Sequence, residues 1–356
     1  MRPSGCRCTE GARCRANQPD TSDGSGAVVM ATIFVQIAAY RDPDLPATLN
    51  NLIKRAAQPE RLHFGICLQL SDNDPPHWGE SGFPNHPHLK VIRFSAAESR
   101  GACWARHQAQ RVYAGEDFLL QIDSHMRAIE RWDELLLTTW KECGDRKAVL
   151  SVYPNGFEQP CKLKTSTLPV MGADDFDAYG ILKLRGISRY RLPEEQPDSP
   201  IPGAFIAGGF LFGPGRIVGE VPYDPALYFY GEEIAMSARL WTSGFNIYAP
   251  NRHLLFHLYK SKKPNQKPST THWADHKSWF ELNRRSLVRV HRLLNRLDQA
   301  PEQLNPKTQD LIDIDNFSLG NNRSLNDYEQ WAGINFRSGV IQKRAKLSEF
   351  GEQNQA

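Results

Sequence analysis

The chain has 356 residues, of which 40% are hydrophobic and 23% charged, and its 43 basic and 40 acidic side chains give a formal net charge of +3. This near balance lacks the basic surface that proteins need to bind duplex nucleic acid, and no run of about 18 apolar residues predicts a membrane-spanning helix. We therefore expect a soluble globular protein with one large core and with neither a nucleic acid nor a membrane as partner.

Residues 1–30 are rich in glycine, serine and other polar side chains and show no apolar period, which predicts a disordered tail. Because this segment lacks the apolar centre of a signal peptide, the expected compartment is the cytoplasm. The seven cysteines follow no disulfide framework, which agrees with a reducing compartment. Cys6, Cys8 and Cys14 form a weak alternative metal cluster, since no second pair of ligands follows at zinc-finger spacing.

Strands and helices alternate along the first half of the chain. Apolar runs predict strands at 31–42, 61–70, 89–95 and 116–123, and helical spacing of apolar residues predicts helices at 44–56 and 101–114. This alternation predicts an α/β fold, in which a largely parallel sheet is covered by helices on both faces. Ligands of such sheets bind at the carboxyl ends of the strands.

The second half begins at about Lys147 and is less regular. It is predicted to contain a strand at 148–154, a polar surface loop at 191–203, a glycine-interrupted strand at 204–213, a helix closed by Gly244, a further strand to 250, a strand from 252 that runs into a basic loop, and a long amphipathic helix at 276–297. From about residue 299 only short elements are predicted, at 309–319 and 325–334. We therefore divide the chain into a tail at 1–30, a domain at 31–298 and a C-terminal extension at 299–356.

Asp123 and His125 follow the apolar strand that ends in "FLLQID". Residues two apart on an extended chain point to the same side, so both side chains can bind one ion while Ser124 faces away. A carboxylate and a neutral imidazole suit manganese or another borderline divalent cation better than calcium. The alternative is that Asp123 or Ser124 caps a helix at 129–140.

His257 lies on the polar face of the predicted strand "HLLFHLY" and can supply a third metal ligand, although a hydrogen-bonded interior histidine fits the same pattern. Lys260, Lys262 and Lys263 follow in a loop that contains proline and serine. Mobile cations beside a metal suit a diphosphate, and the alternative is a surface loop that only favours solubility.

Gly208 and Gly209 interrupt the predicted strand "AFIAGGFLFG", where the absence of a side chain lets a ligand approach the backbone or marks a bulge. Glu232 and Glu233 open a predicted helix. Acidic residues in a first turn are ordinary partners of the helix dipole, but they can also hydrogen-bond the hydroxyl groups of a sugar.

The order of these motifs resembles that of glycosyltransferases with the GT-A fold. The segments that carry the resemblance are "AAYRD", "ESRGACWARHQA", "FLLQIDSHM", "GGFLFG", "YGEEIAMSARLW" and "FHLYKSKKP". The chain looks most similar to the cytoplasmic polypeptide N-acetylglucosaminyltransferases that modify hydroxyproline on Skp1-type proteins, and more distantly to the polypeptide GalNAc-transferases. The resemblance spans roughly residues 31 to 295, and its motifs are specific through their joint order.

The resemblance implies a mixed sheet flanked by helices and a metal-dependent transfer of N-acetylglucosamine from UDP-GlcNAc to a hydroxyl group of a protein, with retention. It implies Mn²⁺, or alternatively Mg²⁺, bound by Asp123, His125 and His257. The other implied contacts are with uridine at Tyr40, Arg41 and Asp42, with the nucleotide at Arg100 and Arg106, with the donor sugar at Gly208 and Gly209, and with the diphosphate at Lys260. Glu232 and Glu233 are the implied catalytic pair, which meets the sugar or the acceptor hydroxyl.

Two other classes of function use the same residues. A metal-dependent hydrolase or nucleotidyltransferase can be built on Asp123 and His125, but "AAYRDPD" lacks the glycine-rich basic loop of a pyrophosphorylase. A non-catalytic protein that binds nucleotide sugars is the second class. A zinc site at His272 and His276 is disfavoured, because Trp273 stands where the protease signature needs glutamate.

Overall fold

Eight strands form one mixed sheet in the computed structural model, which describes residues 31–259 and 270–351. The expected disordered tail and the predicted lysine-rich loop lie outside these described residues. All the described strands are β1 (Ile33–Tyr40), β2 (Leu62–Leu70), β3 (Leu89–Ser95), β4 (Phe118–Asp123), β5 (Met126–Ala128), β6 (Ala148–Ser151), β7 (Phe157–Glu158), β8 (Lys162–Leu163), β9 (Thr167–Phe176), β10 (Leu182–Arg191), β11 (Ile201–Gly203), β12 (Phe210–Pro214), β13 (Asn246–Ala249), β14 (Leu255–His257), β15 (Ile334–Asn335) and β16 (Val340–Ile341).

Helices cover this sheet and follow the apolar periods of the sequence. They are α1 (Leu45–Arg55), α2 (Ala102–Gln110), α3 (Trp132–Glu142), α4 (Ile217–Glu220), α5 (Glu232–Thr242), α6 (His272–Asp275), α7 (Trp279–Leu293), α8 (Leu325–Ala332) and α9 (Lys343–Leu347). In α1, for example, Leu45, Leu49 and Leu52 recur at helical spacing and are buried. Their burial is what attaches the helix to the sheet.

The sheet has the strand order β11-β13-β6-β12-β4-β1-β2-β3. Strands β1 to β4 run parallel to one another, whereas β12 is antiparallel to both of its neighbours, β4 and β6. The carboxyl ends of β1, β4 and β6 therefore meet the amino end of β12 at one edge. The mixed α/β fold expected from the sequence is confirmed, and this edge is where its ligand is expected.

Three local predictions were wrong. The helix predicted at 129–140 begins only at Trp132, and β5 separates it from Asp123, so neither Asp123 nor Ser124 caps it. The strand predicted at 204–213 begins at Phe210, because the chain bends at the two preceding glycines. The antiparallel pair β9 and β10 was missed, because β9 is buried over most of its length and contains Pro169, whereas β10 is exposed or half-buried over nearly all of its length, so neither shows the alternation of a half-buried strand.

Residues beyond 299 pack on the main body through side chains of α8. The Tyr328 hydroxyl donates to the Ala204 carbonyl at 3.0 Å, and Trp331 Nε1 donates to the Gly203 carbonyl at 3.1 Å. Tyr328 is fully buried, so this contact closes part of the core. Among the described residues, every helix is too short or too polar to cross a lipid bilayer.

Candidate active site

The metal-ligating residues of the sequence analysis converge at the edge where β4 ends. One ligand atom each from Asp123, His125 and His257 lies within 4.8 Å of the others. His257 Nε2 is 3.1 Å from both Asp123 Oδ2 and His125 Nε2. This is the one group of three such side chains among the residues that the structure describes.

A small two-stranded sheet brings the late histidine to the early pair. Strand β14 pairs antiparallel with β5, which follows Asp123 and His125 directly, and this register sets His257 opposite Met126. The Leu258 N–H donates to the His125 carbonyl at 3.0 Å. A sequence separation of more than 130 residues is thereby closed by backbone hydrogen bonds.

Asp42 lies beneath the cluster and is 4% exposed. Its carboxylate is 2.6 Å from His125 Nδ1 and accepts the Ser124 hydroxyl at 2.5 Å and the Asp44 N–H at 2.9 Å. Since a carboxylate accepts the proton on Nδ1, it leaves Nε2 of His125 as the nitrogen for a metal. The predicted contact of Asp42 with uridine stays a prediction, and the structure shows that its carboxylate faces His125 and Ser124.

Electrostatic neighbours keep Asp123 ionised. Burial raises the pKa of Asp123, but the hydrogen bond with His257 and the charges of His257, Arg106 and His125 hold it well below its usual range. Burial lowers the pKa of His125, but the hydrogen bond and charge of Asp42 raise it to about 9. A cation that binds here must therefore displace a proton from His125.

Arg106 connects the metal-ligating cluster to the start of α5. Its guanidinium donates to Glu232 Oε1, to Asp123 Oδ1 at 3.2 Å and to the Gly208 carbonyl at 3.0 Å. Arg106 and Glu232 are both buried, and Glu232 also accepts the Tyr223 hydroxyl at 2.9 Å. Glu232 thus forms a buried ion pair with Arg106.

Glu233 has different surroundings, although it is the next residue on α5. Its carboxylate accepts the Gly208 N–H at 2.8 Å and the Tyr153 hydroxyl. Burial raises the pKa of Glu233 to about 7, against the opposing effect of these two donors. It is partly exposed, so a substrate in the cavity can reach it.

The two consecutive glycines before β12 leave room for these acidic groups. A Cβ at Gly208 would lie 2.9 Å from Glu232 Oε1, and a Cβ at Gly209 would lie 2.6 Å from Asp123 Oδ2. Any other residue would push a carboxylate aside, so the glycines are explained by close approach.

Four other predicted site residues do not lie beside Asp123, His125 and His257 or cannot be placed. Tyr40 ends β1 and Arg41 follows it, and both bind Asp275 of α6, from the Tyr40 hydroxyl at 2.9 Å and from Arg41 Nη1 at 2.6 Å. Arg100 is exposed and lines a different cavity. Lys260 lies outside the described residues.

Comparison with protein families identifies the chain. The family described as "Glycosyltransferase (GlcNAc)" matches residues 32–84 and 79–338. The chain belongs to this family. A comparison with curated protein sequences gave no match.

Solved structures resemble this glycosyltransferase at low sequence identity. The crystal structure of GalNAc-T7 with UDP, GalNAc and Mn²⁺ has a TM-score of 0.58 at 14% identity, and the match covers 85% of this chain and 56% of that one. TarS 1-349 of S. aureus in complex with UDP has a TM-score of 0.41 at 10% identity, covering 85% and 78%. The TarS complex with UDP-GlcNAc has a TM-score of 0.42 at 11% identity, covering 80% and 89%. The first of these confirms the GT-A fold.

A cavity of about 490 Å³ in the glycosyltransferase joins the features described above. Asp123, His257, Arg106, Gly208, Gly209, Glu232 and Glu233 line it, together with Tyr153, Asp174, Asp177 and Lys183. Sequence reasoning missed the last four. Tyr153 carried a usable signal, because it lies near the carboxyl end of the strand predicted at 148–154, as Asp123 lies at the carboxyl end of another predicted strand. The other three lie on or beside the unpredicted pair β9 and β10.

Proposed function

We propose that this glycosyltransferase transfers N-acetylglucosamine from UDP-GlcNAc to a hydroxyl group of a protein, with retention and with a divalent cation. The observation that carries the proposal is the convergence of Asp123, His125 and His257 beside a cavity that Asp123, His257 and Glu233 line together. The family match supports the donor sugar. The residue types of the cluster support the cation.

The cluster fits a cation by its donor set. Two imidazole nitrogens and a carboxylate oxygen suit Mn²⁺ and related divalent ions, with Mg²⁺ the weaker candidate because it prefers oxygen ligands. When bound, the cation would neutralise charge on the departing diphosphate. Lys260 is the proposed protein cation near the same diphosphate.

Glu233 is the proposed catalytic carboxylate, and Glu232 is the proposed support of Arg106. A group that acts on the sugar or on the acceptor hydroxyl must be reachable from the cavity and must ionise near neutral pH, which Glu233 satisfies. Glu232 is 3% exposed and pairs with Arg106 inside the protein. As nucleophile, Glu233 would form a covalent glycosyl intermediate; otherwise it would orient the acceptor for attack on the donor's front face.

The acceptor and the location rest on the sequence resemblance. We propose a hydroxyproline, serine or threonine hydroxyl on a Skp1-type or other protein, in the cytoplasm. Four described cysteines are unpaired, including the buried Cys67 and Cys103, which favours a reducing compartment. Tyr40 and Arg41 remain the proposed uridine contacts, and binding there would compete with their bonds to Asp275.

Thermal unfolding with nucleotides tests the proposal without an acceptor. Wild-type protein and the variant Asp123→Ala are compared with UDP, UDP-GlcNAc, UDP-GalNAc and GDP, each with Mn²⁺ or with chelator. A ligand at about one hundred times its Kd should stabilise the fold by about 2.7 kcal/mol. We expect UDP species to stabilise the wild type only with Mn²⁺ and to leave Asp123→Ala unchanged. An equal effect with chelator, or no effect of any nucleotide, would refute the metal-dependent transfer.

Product analysis separates the rival classes. With UDP-GlcNAc and Mn²⁺, a glycosyltransferase slowly releases UDP and GlcNAc to water, whereas a nucleotidyl enzyme would release UMP and the sugar phosphate. A protein that only binds the nucleotide sugar would release none of these. The matched control is Asp175→Ala, which removes an exposed carboxylate away from the cluster.

A further inference from the structure

A second cavity, of about 380 Å³, lies between α2 and α7. Its wall from α2 contains Trp104, His107 and Gln108, whereas Ala102 and Arg106 of the same helix line the candidate active site. At about 100° of rotation per residue, these two sets lie on opposite faces of the helix. The α2–α7 cavity is therefore separate from the site of sugar transfer.

The arginines of α7 differ in their partners. Arg284 pairs with Asp310 at 2.7 Å, and Arg289 donates from Nε to Asp224 at 2.7 Å. Arg285 lines the cavity, and no carboxylate of the described residues lies within ion-pairing distance of it. Its Nε is buried without a hydrogen-bond partner there. Arg285 thus has hydrogen-bonding capacity that the described part of the protein does not use.

Arg100 contributes a second such guanidinium to the cavity. It is exposed at the rim and has no ion-pair or hydrogen-bond partner among residues 31–259 and 270–351. Of the two acids that line the cavity, Asp224 is neutralised by Arg289, and Asp313 is exposed at the surface. The cavity therefore keeps a surplus of positive charge.

We propose that the α2–α7 cavity binds a compact oxyanion, a phosphate or a carboxylate group, between Arg100 and Arg285. A planar guanidinium offers paired N–H donors that match two oxygens of such a group. The rings of Trp104 and Phe317 also line the cavity and bound the space beside the two guanidinium groups. The anion is either a free small molecule or a group carried by a peptide. This inference does not depend on the proposed function.

The test measures binding of inorganic phosphate by isothermal titration calorimetry. The whole chain is used with chelator present and in the Asp123→Ala background, so that the metal-ligating cluster contributes no binding. Arg100→Ala and Arg285→Ala are each expected to weaken phosphate binding roughly tenfold, the loss of a charge-assisted hydrogen bond. Arg292→Ala is the control, because it removes the same charge from an exposed position of α7 and should change binding less than twofold.

Equal binding by Arg100→Ala and the unmodified background, or an equal loss in Arg292→Ala, would overturn the proposal. Arg100 decides the matter if Arg285→Ala does not fold, because Arg100 is exposed and unpaired within the described residues. Glutarate and a short peptide with one phosphoserine form two further arms. Tighter binding of the peptide than of phosphate assigns the anion to a peptide, and the reverse assigns it to a free small molecule.

Discussion

Asp123 and Glu233 are carboxylates that line the same cavity, yet their surroundings move their pKa values in opposite directions. Burial raises the pKa of both. Asp123 has charged neighbours, His257 and Arg106, which favour its ionised form strongly. Glu233 has mainly neutral donors, Tyr153 and the Gly208 N–H, and its pKa stays near 7.

The difference teaches that burial alone does not decide what a carboxylate can do. A permanently ionised group beside imidazoles suits a metal ligand. A carboxylate that gains and loses its proton near neutral pH suits acid, base or nucleophilic chemistry. The surroundings of Asp123 and of Glu233 are therefore expected to respond differently to substitution and to pH.

The largest expected effect is the loss of sugar transfer when Glu233 is replaced. Glu233→Gln keeps the size of the side chain but removes its negative charge, and we expect transfer to fall by about 10²- to 10⁴-fold. Stabilisation by UDP and Mn²⁺ should persist, because Asp123, His125 and His257 are unchanged. The measurements are UDP release and thermal unfolding. Loss of nucleotide binding in this variant would contradict the division of roles.

Arg106 is the buried cation shared by Asp123 and Glu232, so its loss should destabilise the protein. Arg106→Ala leaves Glu232 and Asp123 without their shared cation, and we expect unfolding free energy to fall by about 3–5 kcal/mol, as for other broken buried ion pairs. Urea denaturation measures this. The control Arg111→Ala removes an exposed arginine next to α2 and should cost less than about 0.5 kcal/mol. Equal costs would show that the pair is not important for stability.

Asp42→Asn should weaken Mn²⁺ binding without removing a proposed metal ligand. The neutral amide holds the Nδ1 proton of His125 less strongly than the carboxylate does, so Nε2 of His125 is less often free to bind a metal. Mn²⁺ affinity should therefore fall about 10- to 100-fold. Electron paramagnetic resonance of Mn²⁺ measures the affinity directly. If Asp42 instead contacts uridine, Mn²⁺ binding will be unchanged and only UDP binding will weaken.

The smallest expected effect is a shift of the pH profile. The role proposed for Glu233 needs its ionised form, and burial raises its pKa to about 7, so activity should rise as pH increases through about 7. The Tyr153 hydroxyl lowers that pKa, so Tyr153→Phe should move the rise to higher pH, by less than about one unit for one hydrogen bond. The profile of kcat/KM against pH measures this. A shift to lower pH would contradict the assignment.

The same raised pKa makes a prediction about stability. A carboxyl with a raised pKa in the folded state contributes stability that is present below its unfolded pKa and is lost as pH rises through the folded value. The free energy of unfolding of the wild type should therefore fall as pH rises from about 4 to about 7, and in Glu233→Gln this fall should be absent. Urea denaturation at several pH values compares this variant with the wild type.

The proximity of Asp123 and His125 was predictable because its signals are local. Asp123 and His125 follow one apolar strand two residues apart, and strand alternation gives them a common side. Their meeting with His257 depended on the pairing of β5 with β14, which no periodicity revealed, since both strands have only three residues. The strand pattern offered His257 as one of two interpretations, and the sequence resemblance selected it as the partner.

The Glu233 side was only half predictable. Two acids at the start of a helix look alike in sequence, and both were proposed as catalytic. Their different surroundings arise from contacts with Arg106 and Tyr153, which come from distant segments. The contact of Asp42 with His125 has the same origin, because it joins the segment after β1 to the segment after β4.

The sequence by itself determined the alternation of strands and helices, the site at the strand ends and the residue types of the metal-ligating cluster. Those features follow from periodicities of two and 3.6 residues, which act over short distances along the chain. Only the tertiary structure decided which carboxylate is paired, which can titrate, and which arginine has no partner. Those properties depend on burial and on charges from other segments, and local sequence contains neither.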